Sequence, residues 1–510
     1  MTEFSQNKNR IAKNALYLYA RMFLSMGISL FTSRIILNTL GILDYGIWNV
    51  VGGIIVMFSF LNSSMVGCTN RFLSFELGRK DLNKLQKVFA TSLNIHILIA
   101  LLILILGETI GLWFLHEKLI IPDNRVFAAN IVYQLSIISS IISITQIPYN
   151  AMIIANERMN IYAYIEILNV LLKLLIVYML YVSPWDKLIT YGILTLTISI
   201  IIAFIYRIYC MKNFHSCKYQ FRIEKDIALP MISFSGWDLY GNAAVMARTQ
   251  GVNMLLNIFF TAAMNAASAI ATQVQTAVGS FATNVLSAFR PQIIKNYANG
   301  HKLIMVELIR EAAIYTTFLL LLITLPLIFE IKYVLQLWLK EPPYYATILC
   351  QYTLVFNIIA NLSTVVISGI HATGYIKRSS FINGTCYLLV IPFSYFAYKA
   401  GFEAYYAYLF NIIAVCLGML QNIFALNKYI PVFKKLTFIA NVILRNLVII
   451  GCIYIVVLFL QNKIQQSFIR LCLTTAVTTF ILTISTYLFI LNNNERSSIK
   501  NKIQKILSII

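Results

Sequence analysis

Charged residues are scarce in this chain, and acidic residues are scarcer than basic ones. Only 12% of the 510 residues are charged, and 19 acids stand against 40 lysines and arginines. A soluble domain has about 25% charged residues, so this shortage, with 59% hydrophobic residues, indicates a polytopic membrane protein. We interpret the net charge of +21 as basic loops facing the cytoplasm and anionic headgroups, and expect no nucleic-acid partner.

Sequence motifs of enzymes and metal sites are also missing. The chain has no G-x-x-x-x-G-K-[ST] phosphate loop, no H-E-x-x-H and no G-x-S-x-G, and no loop long enough for a folded catalytic domain. These absences exclude a built-in ATPase and oppose a membrane glycosyltransferase or glycan polymerase. The eight cysteines form no C-x-x-C pair, so neither a zinc site nor a disulfide framework is indicated. We expect no enzyme, no cofactor and no metal.

Long apolar runs dominate what remains, and they predict an all-α protein with about fourteen transmembrane helices. The predicted spans lie near 14–37, 45–69, 88–114, 127–153, 161–182, 187–210, 228–259, 262–288, 304–330, 345–370, 378–399, 402–426, 438–460 and 467–491. Alternate loops are strongly basic, for example "RFLSFELGRKDLNKLQK" and "RIYCMKNFHSCKYQFRIEK". This bias predicts that both termini are cytoplasmic and that the number of spans is even.

A faint internal repeat joins the two halves of the chain. After the first predicted span come "LN", a short turn, a second span and Arg71; after the seventh come "LN", a short turn, an eighth span and Arg290. Repeated halves are typical of secondary transporters, which bind substrate near the membrane midplane.

Basic residues equal or outnumber acids inside the predicted spans. The basic ones that we single out are Arg21, Arg34, Lys173 and Arg248, and the acids are Glu108, Glu166 and Asp238. A charge at mid-membrane depth costs about 2.5 to 3.5 kcal/mol on insertion scales, so each needs a reason. A transporter of cationic drugs needs carboxylates in its cavity, whereas fixed guanidinium groups suit lipid-linked phosphates.

Structural roles compete with binding roles for these residues. Arg34 is near the outer end of its span and could snorkel or tie helices together, and Lys173 could pair with Glu166, seven residues away on one helix face. We expect Arg21 and Arg248 to line a cavity that meets an anion. Amides such as Asn253 and Asn257 suit sugar hydroxyls, although single amides commonly join helices.

Several stretches resemble the polysaccharide flippases of the Wzx type, within the multidrug/oligosaccharidyl-lipid/polysaccharide (MOP) exporter superfamily. They are "TSRIILNTLGILDYGIWNVVGGI" (32–54), "TNRFLSFELGRKDLNKLQKVFATSLNIH" (69–96), "IPYNAMIIANERMN" (147–160), "ISFSGWDLYGNAAVMARTQGVNMLLNIFF" (232–260), "MNAASAIATQV" (264–274), "FRPQIIKNYANG" (289–300) and "HATGYIKRS" (371–379). The resemblance covers nearly the whole chain, and its motifs carry no catalytic signature.

The resemblance implies a MATE-like V of two six-helix lobes with two extra C-terminal helices. The corresponding ranges are 1–212 for spans one to six, 213–430 for spans seven to twelve, and 431–510 for the last two spans and a basic cytoplasmic tail. It implies alternating access around a cationic cavity in the bacterial inner membrane, which flips a polyprenyl-pyrophosphate-linked oligosaccharide to the periplasmic leaflet for surface polysaccharides such as O-antigen and lipopolysaccharide.

The resemblance also implies site residues and partners. By placement, Arg21, Arg34 and Arg248 match cavity arginines of relatives, and we add Lys173, Asn253 and Asn257 as substrate-binding candidates. Flipping would be coupled to H⁺ or Na⁺, with Glu166 and Asp238 as candidate coupling acids. The expected partners are the lipid-linked oligosaccharide, membrane lipids and other membrane proteins of polysaccharide assembly. The alternative hypothesis is a MATE-like multidrug or metabolite cation antiporter.

Overall fold

The computed structural model describes residues 3–500 except 118, 120, 222, 261, 493, 494, 498 and 499. Within its helices, the side chains of 3–9, 30, 33, 34, 37, 42, 49, 50, 52–63, 262 and 263 lie outside that description. The described residues form helices and short connections, with no strand among them. This confirms the prediction of an all-α protein.

Fifteen α-helices make up the described chain. They are α1 Glu3–Arg79, α2 Leu82–Leu106, α3 Leu112–Glu117, α4 Val126–Ala155, α5 Met159–Val182, α6 Lys187–Asn213, α7 Lys225–Phe259, α8 Ala262–Ala298, α9 Lys302–Leu339, α10 Ala346–Thr373, α11 Lys377–Lys399, α12 Tyr406–Tyr429, α13 Lys435–Phe438, α14 Arg445–Lys463 and α15 Phe468–Ser485. Widened π-helical turns join α2 to α3 at Gly107–Gly111 and α13 to α14 at Ile439–Leu444, and a third, Thr486–Ile490, extends α15.

The first helix is two helices in succession. Gly41 interrupts α1 with φ 80° and ψ 167°, a conformation that only glycine adopts without strain. With the two parts of α1 counted separately, and each π-joined pair counted once, the described helices form fourteen segments, in line with the predicted count.

Ten helical stretches of the described chain are long and apolar enough to cross a membrane, which makes this a multi-pass membrane protein. Helices α1, α7 and α8 are not among the ten. The last two are rich in amide, hydroxyl and charged residues within their predicted spans, and this polarity lowers their hydropathy.

Several helices run past the apolar stretches that predicted them. The second part of α1 continues to Arg79 instead of 69, α8 to Ala298 instead of 288, and α9 to Leu339 instead of 330. Residues beyond the predicted ends, such as Ile293, Ile331 and Leu335, are buried, so packing within the protein extends these helices past the predicted spans.

The chain divides into two compact units. Unit 1 comprises Met1–Ala243 and Arg290–His301, and in it α4 packs against α1, α2 and α6, while α1 also packs against α5. Its core includes Val132, Tyr133 and Ile137 of α4, all nearly inaccessible. Ring and aliphatic side chains of α4 thus belong to a buried cluster of the unit.

Unit 2 comprises Ala244–Phe289 and Lys302–Ile510. Here α10 packs against α9 and α12, α11 against α12, and α15 against α9. A Cβ added to Gly369 of α10 would lie 2.7 Å from Ile309 Cδ1 and 3.2 Å from Leu426 Cδ1. A small residue at this point lets three helices approach closely, as is common in membrane bundles.

An ionic cluster in unit 1 is centred on Glu157, in the turn between α4 and α5. Its carboxylate, with a side chain only 1% exposed, lies 3.0 Å from Arg10 Nε, accepts a hydrogen bond from Gln292 Nε2 at 2.6 Å and pairs with Lys295. Glu157 has a φ of 59°, which is uncommon for a residue other than glycine. The contacts from α1 and α8 hold this conformation.

A second ionic cluster in unit 1 joins three connections. Arg125 donates from Nε to Asp44 at 2.8 Å, from Nη1 to Asp186 at 2.5 Å, and also pairs with Asp44 through Nη2. Burial alone would raise the pKa of Asp186. The backbone N–H of Ile189 and the Arg125 guanidinium outweigh burial, so the pKa of Asp186 lies below its ordinary value.

Candidate functional site

Arg248 lies on α7, within unit 2, and its side chain is buried. The residue is 8% exposed, and its guanidinium carbon lies 5.1 Å from the ring centre of Phe356 on α10 and 4.6 Å from that of Tyr387 on α11. Contacts of this kind contribute about 0.5 to 2 kcal/mol each, which offsets much of the cost of burying the charge.

The arginine is not neutralised by an acid among the described residues. It forms no ion pair there, and its Nη1 is buried without a hydrogen-bond partner. Some other buried or half-buried arginines of the described chain form ion pairs: Arg125 with Asp44 and Asp186, and Arg470 with Glu330. Arg207, like Arg248, forms none among the described residues and has a buried nitrogen without a hydrogen-bond partner. Arg248 therefore retains both a full charge and an unused donor.

A small polar cavity of about 50 Å³ borders Arg248 in unit 2. Its polar lining consists of Thr249, Asn253, Ser268, Thr272, Gln275, Tyr352, Thr353, Tyr408 and Asn411. Tyr408 donates to Ser268 Oγ at 2.7 Å, and Ser268 Oγ donates to Asn253 Oδ1 at 2.8 Å. The volume suits a few waters or one small anionic group, and it does not hold a sugar in this conformation.

Arg21 takes part in a tyrosine cluster in unit 1. Its Nη1 donates to Tyr162 Oη at 2.8 Å, and its guanidinium carbon lies 5.0 Å from the centre of that ring. Tyr162 and Glu166 are four residues apart on one face of α5. Glu166 accepts a hydrogen bond from Tyr206 Oη of α6 at 3.0 Å. The structure thus brings together a predicted cation and a predicted acid around two tyrosines.

Glu166 and Lys173 both line a cavity of about 350 Å³ among α4, α5 and α6. The other polar lining residues are Ser139, Ser143, Gln146, Asn150, Asn169, Thr195 and Ser199. Lys173 is exposed and also borders a cavity of about 190 Å³ that includes Ser29 and Thr32. Lys173 and Glu166 form no ion pair within 4.0 Å in the described structure, so the amine remains available to the two cavities.

The remaining predicted residues lie elsewhere. Asp238 of α7, in unit 1, accepts a hydrogen bond from Asn242 Nδ2 at 3.2 Å, and its Oδ2 would lie 3.7 Å from a Cβ at Gly67. Asn257 is exposed and does not border the Arg248 cavity. Arg34 is in α1, but its side chain is outside the described residues.

Sequence reasoning missed the aromatic partners of the predicted cations. Phe356 and Tyr387 come from helices more than a hundred residues away from Arg248, and nothing in their spacing marks them. Tyr162 was detectable, because it precedes Glu166 by one helical turn. Arg207, inside predicted span 187–210, was also missed; it donates to Thr145 Oγ1 at 2.9 Å.

No protein-family model matches the chain, and no curated protein matches it. Solved structures do match in fold. An outward-facing multidrug resistance MATE family transporter of the MOP superfamily superposes with a TM-score of 0.69 at 11% identity, covering 85% of this chain and 99% of its own.

Two further structures agree with it. A MOP superfamily transporter from Pyrococcus furiosus, whose reversed binding-pocket polarity is taken to suggest a different function, has a TM-score of 0.68 at 12% identity, over 84% of this chain and 99% of its own. A mutant of the MATE transporter VcmN from Vibrio cholerae has a TM-score of 0.65 at 18% identity, over 85% and 100%. The chain is therefore a multi-pass membrane protein with the fold of the MATE transporters of the MOP superfamily.

Proposed function

We propose that the protein is a secondary transporter that flips a polyprenyl-pyrophosphate-linked oligosaccharide from the cytoplasmic to the periplasmic leaflet of the inner membrane by alternating access. The observation that carries this proposal is Arg248, a buried guanidinium that borders a polar cavity and has no acidic partner among the described residues. An arginine with a purely structural role inside a membrane protein normally pairs with an acidic side chain or with backbone carbonyls. An arginine that binds an anionic substrate only during transport has no such permanent acidic partner.

The chemistry around the arginine supports an anionic glycolipid. Pyrophosphate oxygens are strong acceptors for a guanidinium fork, and hydrocarbon alone does not accept their charge. Asn253, Thr249 and Gln275 add amides and hydroxyls, which bind phosphate oxygens and sugar hydroxyls equally well. Arg21 supplies a second cation, in unit 1. Arg34, Lys173 and Asn257 remain proposed contributors.

No covalent chemistry is needed for this function. The protein would shield the charged headgroup while the prenyl tail stays in lipid. We place the two lobes at 1–212 and 213–430, with two added helices and a basic tail at 431–510. Structural relatives match over 85% of this chain and almost all of their own length, which supports an added segment of about the size of 431–510. The compact units differ from the proposed lobes, because 213–243 and 290–301 belong to unit 1. We keep both termini in the cytoplasm, on the charge of the loops.

Coupling to H⁺ or Na⁺ is assigned to a carboxylate. Glu166 is the stronger candidate, because it lines a polar cavity of about 350 Å³ and is hydrogen-bonded by a neutral tyrosine. Asp238 is the second candidate. Membrane lipids and other membrane proteins of polysaccharide assembly are the proposed partners.

The second candidate function is a MATE-like antiporter of cationic drugs or metabolites. The observation that favours it is Glu166, a carboxylate that lines the polar cavity of about 350 Å³ and could attract a cationic substrate. The two functions predict opposite roles for Arg248: a cation in the binding site attracts an anionic lipid and repels a cationic drug. The neighbour from Pyrococcus furiosus shows that pocket polarity varies within this fold.

The deciding experiment measures the sidedness of the lipid-linked glycan in cells. Deletion should make the lipid-linked oligosaccharide accumulate on the cytoplasmic face, and the wild-type chain should relieve it. Arg248→Ala should fail to relieve it at normal protein level, and Arg248→Lys should restore part of the activity. Lys212→Ala, which removes an exposed charge at the end of α6, is the matched control and should act as wild type.

Two results would overturn the proposal. Full flipping by Arg248→Ala at normal abundance would remove the arginine from the mechanism. An unchanged glycan distribution on deletion, together with loss of drug or metabolite efflux that depends on Glu166, would instead establish the antiporter.

A further inference from the structure

A groove on unit 2 lies apart from the cavities described above. It has a volume of about 600 Å³ and is lined by residues of α14, of the end of α15 and of the segment that follows. The lining includes Arg445, Val448, Cys452, Leu488, Phe489 and Arg496. An apolar wall with two guanidinium groups is thus formed by the C-terminal part of the chain.

Backbone carbonyls hold both arginines in place. Arg445 Nη1 donates to Phe489 O at 2.5 Å, and Arg496 Nη2 donates to Leu488 O at 2.5 Å. Both acceptors belong to the π-helical turn Thr486–Ile490, and Arg445 directly follows the turn Ile439–Leu444. π-Turns change the carbonyl pairing of a helix and are frequent at functional sites. The turn Thr486–Ile490 therefore supplies the carbonyl acceptors for both guanidinium groups, and the turn Ile439–Leu444 directly precedes one of the two arginines.

The positive charge of the groove is not cancelled. Neither arginine forms an ion pair among the described residues, and Nε of Arg496 is buried without a hydrogen-bond partner. The neighbouring acid, Glu495, already pairs with Arg310 at 2.7 Å and accepts the backbone N–H of Asn492. Carbonyl oxygens orient the guanidinium groups but leave their net charge available to an anion.

The contacts of the two arginines place their charge at the end of a membrane span. Both bond to carbonyls of the turn Thr486–Ile490, which ends the candidate span Phe468–Ile490 of 23 residues. At 1.5 Å per residue such a span is long enough to cross the 30 Å or so of a bilayer hydrocarbon core. Beside these contacts, Val448 is 66% exposed and Phe489 is 60% exposed, as expected for surfaces that contact acyl chains.

We infer that this groove binds an anionic glycerophospholipid of the surrounding bilayer, with the phosphate between Arg445 and Arg496 and one acyl chain along the apolar wall. The charge complementarity selects an anionic over a zwitterionic headgroup, and the volume is within the range of small-molecule sites. The inference rests on the membrane location of the chain and not on the proposed transport function.

The test uses the full-length protein, purified in detergent and delipidated, with native mass spectrometry to count retained lipid. Phosphatidylglycerol should be retained at concentrations roughly tenfold lower than phosphatidylcholine. The double variant Arg445→Gln/Arg496→Gln should lose that preference. A control that removes the same charge elsewhere, Lys399→Gln/Lys463→Gln, should keep it, and Arg445→Lys/Arg496→Lys should keep most of it.

Cavity filling gives a second test that leaves the charges in place. Cys452→Trp should abolish selective retention of phosphatidylglycerol while the protein remains folded, and this test decides the matter if the double glutamine variant does not fold. Equal retention of the two lipids by the wild type, or an unchanged preference in the double glutamine and tryptophan variants, would refute the inference. Displacement of phosphatidylglycerol by a prenyl phosphate at equal concentration would also refute it, because the groove would then be a substrate site.

Discussion

Replacing Glu157 by glutamine should destabilise unit 1 far more than replacing its exposed partner. The Glu157 side chain is 1% exposed and Lys295 is 19% exposed, whereas Arg10 is 48% exposed. Glu157→Gln leaves the Lys295 ammonium buried without its carboxylate, and breaking a buried pair in this way costs about 3 to 5 kcal/mol. Arg10→Gln removes a solvent-screened contact, which is worth about 0 to 1 kcal/mol.

The assay is thermal unfolding of purified variants in one detergent at one scan rate. At about 2 °C per kcal/mol, Glu157→Gln should lower the apparent melting temperature by roughly 6 °C or more, and Arg10→Gln by about 2 °C or less. Lys87→Gln is the matched control, because Lys87 is also 48% exposed and pairs with Glu224 at 3.5 Å. It should resemble Arg10→Gln.

Equal small shifts in all three variants would refute this reasoning. They would mean that water reaches Glu157 or that Lys295 finds another partner, so that the cluster is not effectively buried. A higher melting temperature for Glu157→Gln would mean that the free-energy cost of desolvating the carboxylate exceeds the stabilisation from its three donors.

The remaining predictions concern three other sites. Arg248→Met should leave the apparent melting temperature within about 4 °C of wild type or raise it, because the lost cation–π contacts and the relieved burial of charge nearly cancel; a large fall would indicate a structural role. Because the pKa of Asp186 is lowered in the folded state, its contribution to stability is present above the unfolded value of about 3.9 and is lost as pH falls through the folded pKa. Thermal scans between pH 6 and about pH 3 should therefore show a smaller acid-induced loss for Asp186→Asn than for wild type, and equal slopes would contradict the assignment. Glu330→Gln should destabilise the protein by about 3 kcal/mol or more, because it leaves the charge of Arg470 buried, whereas Glu330→Met combined with Arg470→Met should cost much less; equal losses would show that hydrogen bonding, not charge, dominates that cluster.

Helix number and class followed from hydropathy because lipid allows few ways to satisfy the backbone. The ends of helices did not follow, since α8 continues to Ala298 through "RPQIIKNYA", which is not apolar but is compatible with a helix. The break at Gly41 was predicted in place, because it lies in the turn between the predicted spans 14–37 and 45–69. Only its positive φ had to come from the backbone.

The candidate site was predictable in type and not in geometry. Arg248 and Asn253 were placed together because α7 carries both, and they do border one cavity. The rings of Phe356 and Tyr387, which solvate the guanidinium, come from α10 and α11. A contact between helices that are far apart in the sequence produces no periodic pattern in that sequence. Hydropathy and spacing can therefore identify a buried charge, but not the residues of other helices that surround it.

The polarity of α7 and α8 has a consequence for how the chain enters the membrane during synthesis. These helices are not among the stretches apolar enough to cross on their own, and α8 begins at Ala262, just after α7 ends at Phe259. If the translocon inserted each helix on its own, the insertion free energy of both helices would be only marginally favourable. We therefore expect them to enter together as a hairpin, and substitutions that make either helix more polar should first appear as failures of membrane insertion.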